Sequence, residues 1–408
     1  MDMVDTTKDL GKSIFSVSQR FNHIRISGYL QPQFQVASSK GARDYSGGDF
    51  SPNVNNRFML RRGRLKIDYL NLNINEKPTV QFVLQMDGTE RGFFIRDVWG
   101  RIFENKFELF SFSTGMFARP FSYELNLSSS ERESPERGRM SQILMKTERD
   151  LGAMISFEPR KKDHPLRHLK IDAGFFNGPG LNAPADYDSH KDFISRVSLK
   201  PVPLSKTVLF SIGASYLNGG ILQSTRYIYS IYKQDNVFHV DSSQHNLGRI
   251  APRKYYGADA QLKIKNNAGF TEFRAEIITG KQSASANSTE TPAQLLLPSE
   301  GFYQRNFSGA YFYFLQNIVN IKNQIVVKYD WYDPNTKVIA SNIGKAGSHL
   351  TSADIKYSTL GFGFIRYLNE NAKIVFWYDL IRNEKTNLPG YTKDVSDDIF
   401  TCRLQFKF

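Results

Sequence analysis

From Phe400 to its last residue the chain alternates without a break. Phe400, Cys402, Leu404, Phe406 and Phe408 fall on one face, and Thr401, Arg403, Gln405 and Lys407 on the other. Successive side chains of a strand point to opposite sides of the sheet, so this segment predicts a strand with one apolar and one polar face. It also ends on an aromatic carboxylate. A closed transmembrane barrel accommodates that pattern directly, with lipid against the apolar face, a polar lumen inside, and an aromatic at the interface.

The same alternation recurs along the chain. Ile24, Ile26, Leu30 and Phe34 oppose Arg25, Ser27, Gln31 and Gln33; Leu65, Ile67 and Tyr69 oppose Arg62, Arg64, Lys66 and Asp68; Val80, Phe82, Leu84 and Met86 oppose Gln81, Gln85 and Asp87. Thirteen further segments read as strands: Phe93–Ile102, Phe107–Phe117, Asp150–Phe157, Leu169–Phe176, Asp192–Lys200, Lys206–Tyr216, Lys254–Lys265, Ala268–Thr279, Tyr303–Gln316, Ile321–Trp331, Ile355–Leu368, Lys373–Ile381 and Ile399–Phe408. The expectation is an all-β, transmembrane antiparallel β-barrel of about 16 strands. Connections alternate short and long, with only Gly88–Gly92 breaking the run, as expected for short periplasmic turns and long extracellular loops. An even strand count puts both chain ends on the periplasmic side. Two strands, Phe107–Phe117 and Tyr303–Gln316, carry large apolar residues on both faces, which fits either a subunit contact or a loop folded over them in the lumen.

Composition excludes several alternatives. No stretch approaches the roughly 20 apolar residues of a spanning helix. The net charge is +13, yet the lysines and arginines are dispersed and build no nucleic-acid module. The single cysteine, Cys402, lies on an apolar face and reads as a small lipid-facing hydrophobe. Residues 1–22 are expected to form an N-terminal periplasmic segment behind a secretory signal removed or not included, and 23–408 the outer-membrane barrel.

Between Arg96 and Phe157 the sequence carries Arg96-Asp97-Val98-Trp99, then Gly115-Met116-Phe117-Ala118-Arg119-Pro120-Phe121, Glu124, Ser128-Ser129-Ser130, and Asp150-Leu151-Gly152. In this order the motifs resemble the phosphate-selective porin O/P family of Gram-negative outer membranes. Arg61-Arg62-Gly63-Arg64-Leu65 and Lys328-Tyr329-Asp330-Trp331-Tyr332-Asp333-Pro334 look similar to that family too. The resemblance implies a homo-trimer with a third loop, here 118–149, folded inward to narrow the pore, and basic side chains along the path. The positions that match are Arg25, Arg62, Arg64, Lys66 and Arg119, where a fixed guanidinium row would offset the desolvation of an anion. One departure concerns the loop's charge. Glu124, Glu131, Glu133, Glu136 and Glu148 nearly cancel Arg119, Arg132, Arg137, Arg139, Lys146 and Arg149, whereas a dedicated phosphate constriction should be strongly positive. The competing reading of the row is ordinary lumen charge satisfied by facing carboxylates.

Nothing in the sequence points to chemistry. His164 and His168 have a zinc-like spacing but lie in a Pro-containing turn, and Asp186, Asp188 and Asp192 lack the calcium-loop spacing and glycine. His23, His190, His239, His245 and His349 are scattered, and no nucleophile elbow, phosphate loop or dinucleotide fingerprint occurs. No catalytic residue, metal or cofactor is expected. The expected function is a porin passing small hydrophilic solutes by passive diffusion, with a preference for anions. The alternative is a plugged structural barrel serving as a subunit of a larger outer-membrane complex. Lipid, lipopolysaccharide and small anionic or hydrophilic solutes are the expected partners.

Overall fold

The computed structural model describes residues 23–43, 45 and 47–408. Residues 1–22, the expected periplasmic segment, lie outside the described residues. The strands follow in order: β1 (Ile24–Ala37), β2 (Asn56–Leu72), β3 (Pro78–Thr89), β4 (Gly92–Phe103), β5 (Phe110–Ala118), β6 (Arg149–Phe157), β7 (Leu169–Phe176), β8 (Asp192–Pro203) and β9 (Val208–Leu222). Two short strands of one loop come next, β10 (Tyr227–Ser230) and β11 (His239–Asp241). Then come β12 (Ile250–Asn266), β13 (Gly269–Ala284), β14 (Gly301–Asn317), β15 (Asn323–Asp333), β16 (Tyr357–Tyr367), β17 (Ala372–Asn383) and β18 (Ile399–Lys407).

Leaving out β10 and β11, sixteen strands among the described residues pair antiparallel with their neighbours, and β1 pairs with β18 to close the wall. Closure gives every strand of the wall a neighbour on both sides. The register sets Phe34 opposite Cys402 on the outer face, and Gln33 opposite Arg403 on the inner one. The terminal residue completes the seam. Gly28 and Phe408 exchange both backbone hydrogen bonds, at 3.1 and 3.0 Å. A Cβ on residue 28 would meet the Arg64 backbone carbonyl oxygen on β2 and lie 2.7 Å from the Phe408 ring, so the close approach of β1 to β2 at this point requires glycine.

All sixteen strands occur where the alternation predicts them, with shifted ends. β5 starts at Phe110 rather than Phe107 because Glu108 adopts φ 62° and the Glu104 carboxylate accepts the backbone N–H groups of Phe107 and Leu109 at 2.5 and 3.2 Å, which makes a turn there. β9 runs on to Leu222 and β13 to Ala284, so the strands project beyond the expected loop boundaries.

The outer wall is a belt of exposed apolar side chains, with Ile102 61%, Ile155 57% and Phe312 52% exposed. Tyr329 and Tyr378 also face outward, as expected for aromatic girdles. The main apolar core lies inside the barrel. Phe121, Leu125, Met140, Ile143 and Leu144, from the loop between β5 and β6, pack against wall residues including Tyr255, Tyr311, Val326, Ile365 and Trp377. This accounts for the two-sided apolarity of β14. Phe307, Tyr311, Tyr313 and Leu315 on its inner face are covered by the inward loop.

Candidate functional site: the lumen and its inward loop

Residues 119–148 cross the lumen and fasten to three sectors of the wall. Near β9 and β13, Ser122 N–H donates to Ser215 Oγ at 3.0 Å, and Glu276 accepts the N–H groups of Tyr123 and Glu124 at 3.1 and 3.2 Å. Those two N–H groups open the short helix α1 (Tyr123–Asn126), and a carboxylate is favoured at a helix start. Near β1, β17 and β18, Gln31 and Gln405 donate to the carbonyls of Ser129 and Ser130, both at 2.9 Å, and Lys373 donates to Ser130 and Arg132 carbonyls at 3.2 Å. Near β15, helix α2 (Arg139–Leu144) approaches Asp330, whose carboxylate accepts Arg139 N–H at 3.4 Å. Glu124 joins the two limbs of the loop by accepting Gly138 N–H at 3.0 and 3.1 Å and the Ser141 hydroxyl at 2.6 Å.

Three ion-pair clusters lock the loop. Glu136 receives Arg61 at 2.8 Å, Arg62 at 2.6 and 3.0 Å and Arg403 at 3.0 Å, with Arg132 3.9 Å away. A bulge in β2 at Arg61, where the register to β1 shifts, lets Arg61 and Arg62 reach the same carboxylate. Glu133 is held by Arg274 at 2.7 and 3.0 Å. Glu148 is held by Arg96 at 2.6 Å, Arg137 at 3.1 Å and Arg149 at 3.4 Å. Burial alone would push the Glu136 and Glu148 carboxyls up, but the surrounding arginines outweigh it and hold both well below the usual range.

Four of the five expected pore residues are engaged by other groups of the protein. Arg62 is bound to Glu136, Arg64 donates to Asp87 at 3.0 Å, and Lys66 to Asp68 at 2.9 Å. Arg119, 4% exposed, gives its guanidinium to the carbonyls of Gly178 and Thr147, with Asp150 3.9 Å away. Arg25 is exposed at the start of β1 and has no ion pair among the described residues. Charge within the loop is balanced largely across the lumen, since Glu133, Glu136 and Glu148 bind mainly arginines of the wall.

Open space remains beside the loop, against β2 to β13. One chamber of about 330 Å³ and one of about 570 Å³ are both lined by Asn126, Arg196 and Ser198. Their combined lining carries Lys66, Arg101, Arg149, Lys170, Arg196, Lys200, Lys263 and Arg274 against Asp97, Glu131, Asp172 and Glu272. Most of these cations have carboxylate partners, such as Arg196 with Asp259 at 2.6 Å and Lys170 with Asp172 at 3.2 Å. Arg101 has none among the described residues. Its Nε donates to Ser113 Oγ at 2.8 Å, and its guanidinium lies 5.1 Å from the Trp99 ring centre and 5.9 Å from that of Phe103. A guanidinium held this way is a preorganised fork for an oxyanion. Sequence reasoning missed Arg101, Arg196 and Arg403. Their inward parity could be read, but which of them has a carboxylate opposite depends on pairing across distant strands.

No protein-family model matches the chain, and no curated protein matches it by sequence. Solved structures do match. Pseudomonas putida OprB superposes with a TM-score of 0.58 at 8% identity, covering 98% of each chain. The outer membrane channel DcaP of Acinetobacter baumannii gives 0.53 at 10% identity, covering 94% of this chain and 97% of that one. A double mutant of Rh. blastica porin gives 0.51 at 10% identity, covering 94% and 100%. At these identities the likeness is one of fold: the chain is a closed sixteen-stranded antiparallel β-barrel of the kind seen in these proteins.

Proposed function

We propose that this protein is an outer-membrane channel through which small hydrophilic solutes diffuse passively, with anions preferred over cations. The observation that carries the reading is the reversal of an ordinary soluble fold. The closed wall is apolar and exposed on its outside, while charged side chains line chambers within. The lining has twice as many cations as carboxylates, eight against four, and Arg101 is the cation best arranged to receive an oxyanion. In this reading the inward loop fills the side of the lumen toward β14–β18 and confines solutes to the side toward β2–β13. Arg25 and Lys66 contribute as outlying cations, and Arg62, Arg64 and Arg119 hold the loop and the wall. Membership of the phosphate-selective O/P family, a trimeric assembly and contact with lipopolysaccharide belong to the same proposal.

Purified protein in planar bilayers tests it. Stepwise conductance with a reversal potential favouring anions supports the reading, and clear cation preference refutes the anion part. The apolar core inside the lumen favours a second reading, a plugged barrel that serves as a subunit of a larger outer-membrane complex. Co-purification at fixed stoichiometry with silent bilayers would select that one.

A further inference from the structure

Strand register places a cationic row on the outer wall, near the long-loop ends of four neighbouring strands. Asn218 of β9 pairs with Lys254 of β12, Lys254 with Lys281 of β13, and Lys281 with Asn306 of β14. By parity these side chains point away from the lumen, because Arg253 and Gln282 beside them are buried inward. Neither lysine has an ion pair among the described residues, and like charges directly opposite each other on a sheet destabilise it. The next row toward the membrane holds Tyr216 and Tyr256, ring centres 5.3 Å apart, beside Thr279 and Ser308.

Two rows further on the wall becomes concave. Ala260 pairs with Ala275, and around this small pair Phe210, Phe273, Phe312 and Tyr329 frame a groove of about 360 Å³. Ala260 lies six positions along β12 from Lys254, roughly 20 Å at ~3.3 Å per residue.

We propose that this strip is a binding site for a phosphorylated, acylated glycolipid, the lipid anchor of lipopolysaccharide. The lysine pair receives the phosphates, Asn218, Asn306, Thr279 and Ser308 supply hydrogen bonds at headgroup level, and the alanine groove takes an acyl chain. Charge complementarity selects this occupant. The two rows offer two cations and four neutral polar groups against one carboxylate, Asp333, which pairs with Ser308 at the β15 edge, and this balance suits a phosphorylated headgroup. The site rests on the membrane placement proposed above, but not on an open lumen.

The test uses the full chain in detergent, with lipid A as the probe and native mass spectrometry as the readout of bound lipid. Lys254→Gln/Lys281→Gln should weaken lipid A binding about 30-fold, on the basis of two lysines near a charged surface. Lys161→Gln/Lys162→Gln removes the same charge from the opposite rim and should leave binding unchanged. Ala260→Phe fills the groove and should weaken binding while leaving both lysines in place. Equal loss in the two lysine pairs, or none in either, overturns the site. So does a disulfide between copies formed by Ala260→Cys in a Cys402→Ser background, because the groove would then be a subunit contact. Bilayer insertion of the same samples separates the two proposals. Protein that inserts and conducts but retains no lipid A refutes this inference alone, and protein that never enters a bilayer refutes the membrane reading.

Discussion

Glu136→Gln tests how the inward loop is held. In the native protein this carboxylate is 5% exposed and faces Arg61, Arg62 and Arg403 at 2.6 to 3.0 Å, with Arg132 at 3.9 Å. Gln keeps the volume and one acceptor but removes the carboxylate charge that four guanidinium groups surround. Removing one partner of a buried ion pair typically costs about 3–5 kcal/mol. At ~1.4 kcal/mol per tenfold, that is about a 100- to 4,000-fold rise in the population with the loop undocked. Hydrogen exchange of the backbone amides over residues 128–138 should speed up by that factor, while amides along the β1–β18 seam keep their native protection. In bilayers the same variant should show larger or noisier conductance steps. Exchange over 128–138 at the native rate would refute the clamp and assign the docking of the loop to its apolar face.

Gly309→Val should displace helix α2, because a Cβ there would lie 2.7 Å from Met140 Sδ and 2.9 Å from the Trp331 carbonyl; the expected loss is about 1–3 kcal/mol, read as a lower melting temperature in detergent. Arg101→Gln should reduce anion over cation permeability several-fold in reversal-potential measurements with little change in thermal stability, since Arg101 has no ion pair among the described residues. Glu136 and Glu148 have depressed folded values, so their stabilisation is complete above the ordinary carboxylate range near ~4.3 and is lost only as the pH falls through the lower folded values. Melting curves should therefore be flat with respect to these groups from neutral pH to about pH 5 and fall only in stronger acid. Asp397, in the loop before β18, behaves in the opposite sense. Burial chiefly, with Asp394 and Asp398 adding and Arg139 opposing, pushes it up to about 6. Its charged form therefore disfavours the folded loop as the pH rises, and Asp397→Asn should raise the melting temperature at pH 7 and leave it unchanged at pH 4.

Much of the wall was legible in the sequence because period-two alternation is a local property. Phe400 to Phe408 announces its inner and outer faces without reference to any other strand, and so do β1 to β3. Ends were less legible where backbone conformation decides, as at Glu108, whose positive φ and capped neighbours start β5 three residues late. The inward direction of the loop was implied by the family resemblance that the motif at 115–121 helps to carry, its length agreed, and the two-sided apolarity of β14 was its echo on the wall. The identity of the free cations was not legible. Arg62 and Arg101 look alike in sequence, both inward on strands near the start of the chain. What separates them is Glu136, which reaches Arg62 across the lumen from 74 residues away, and the absence of any such partner opposite Arg101 among the described residues. The β2 bulge that brings Arg61 and Arg62 to one carboxylate leaves no mark in the alternation beyond an extra residue.

The conductance of the purified protein in a planar lipid bilayer bears most directly on the idea of a lipid-faced cylinder with a narrowed aqueous path on one side of its loop. We expect discrete steps, an anion-favouring reversal potential, and steps that grow when Glu136 becomes Gln. Inserted protein whose bilayers stay electrically silent, both as the native chain and with Glu136→Gln, would contradict it.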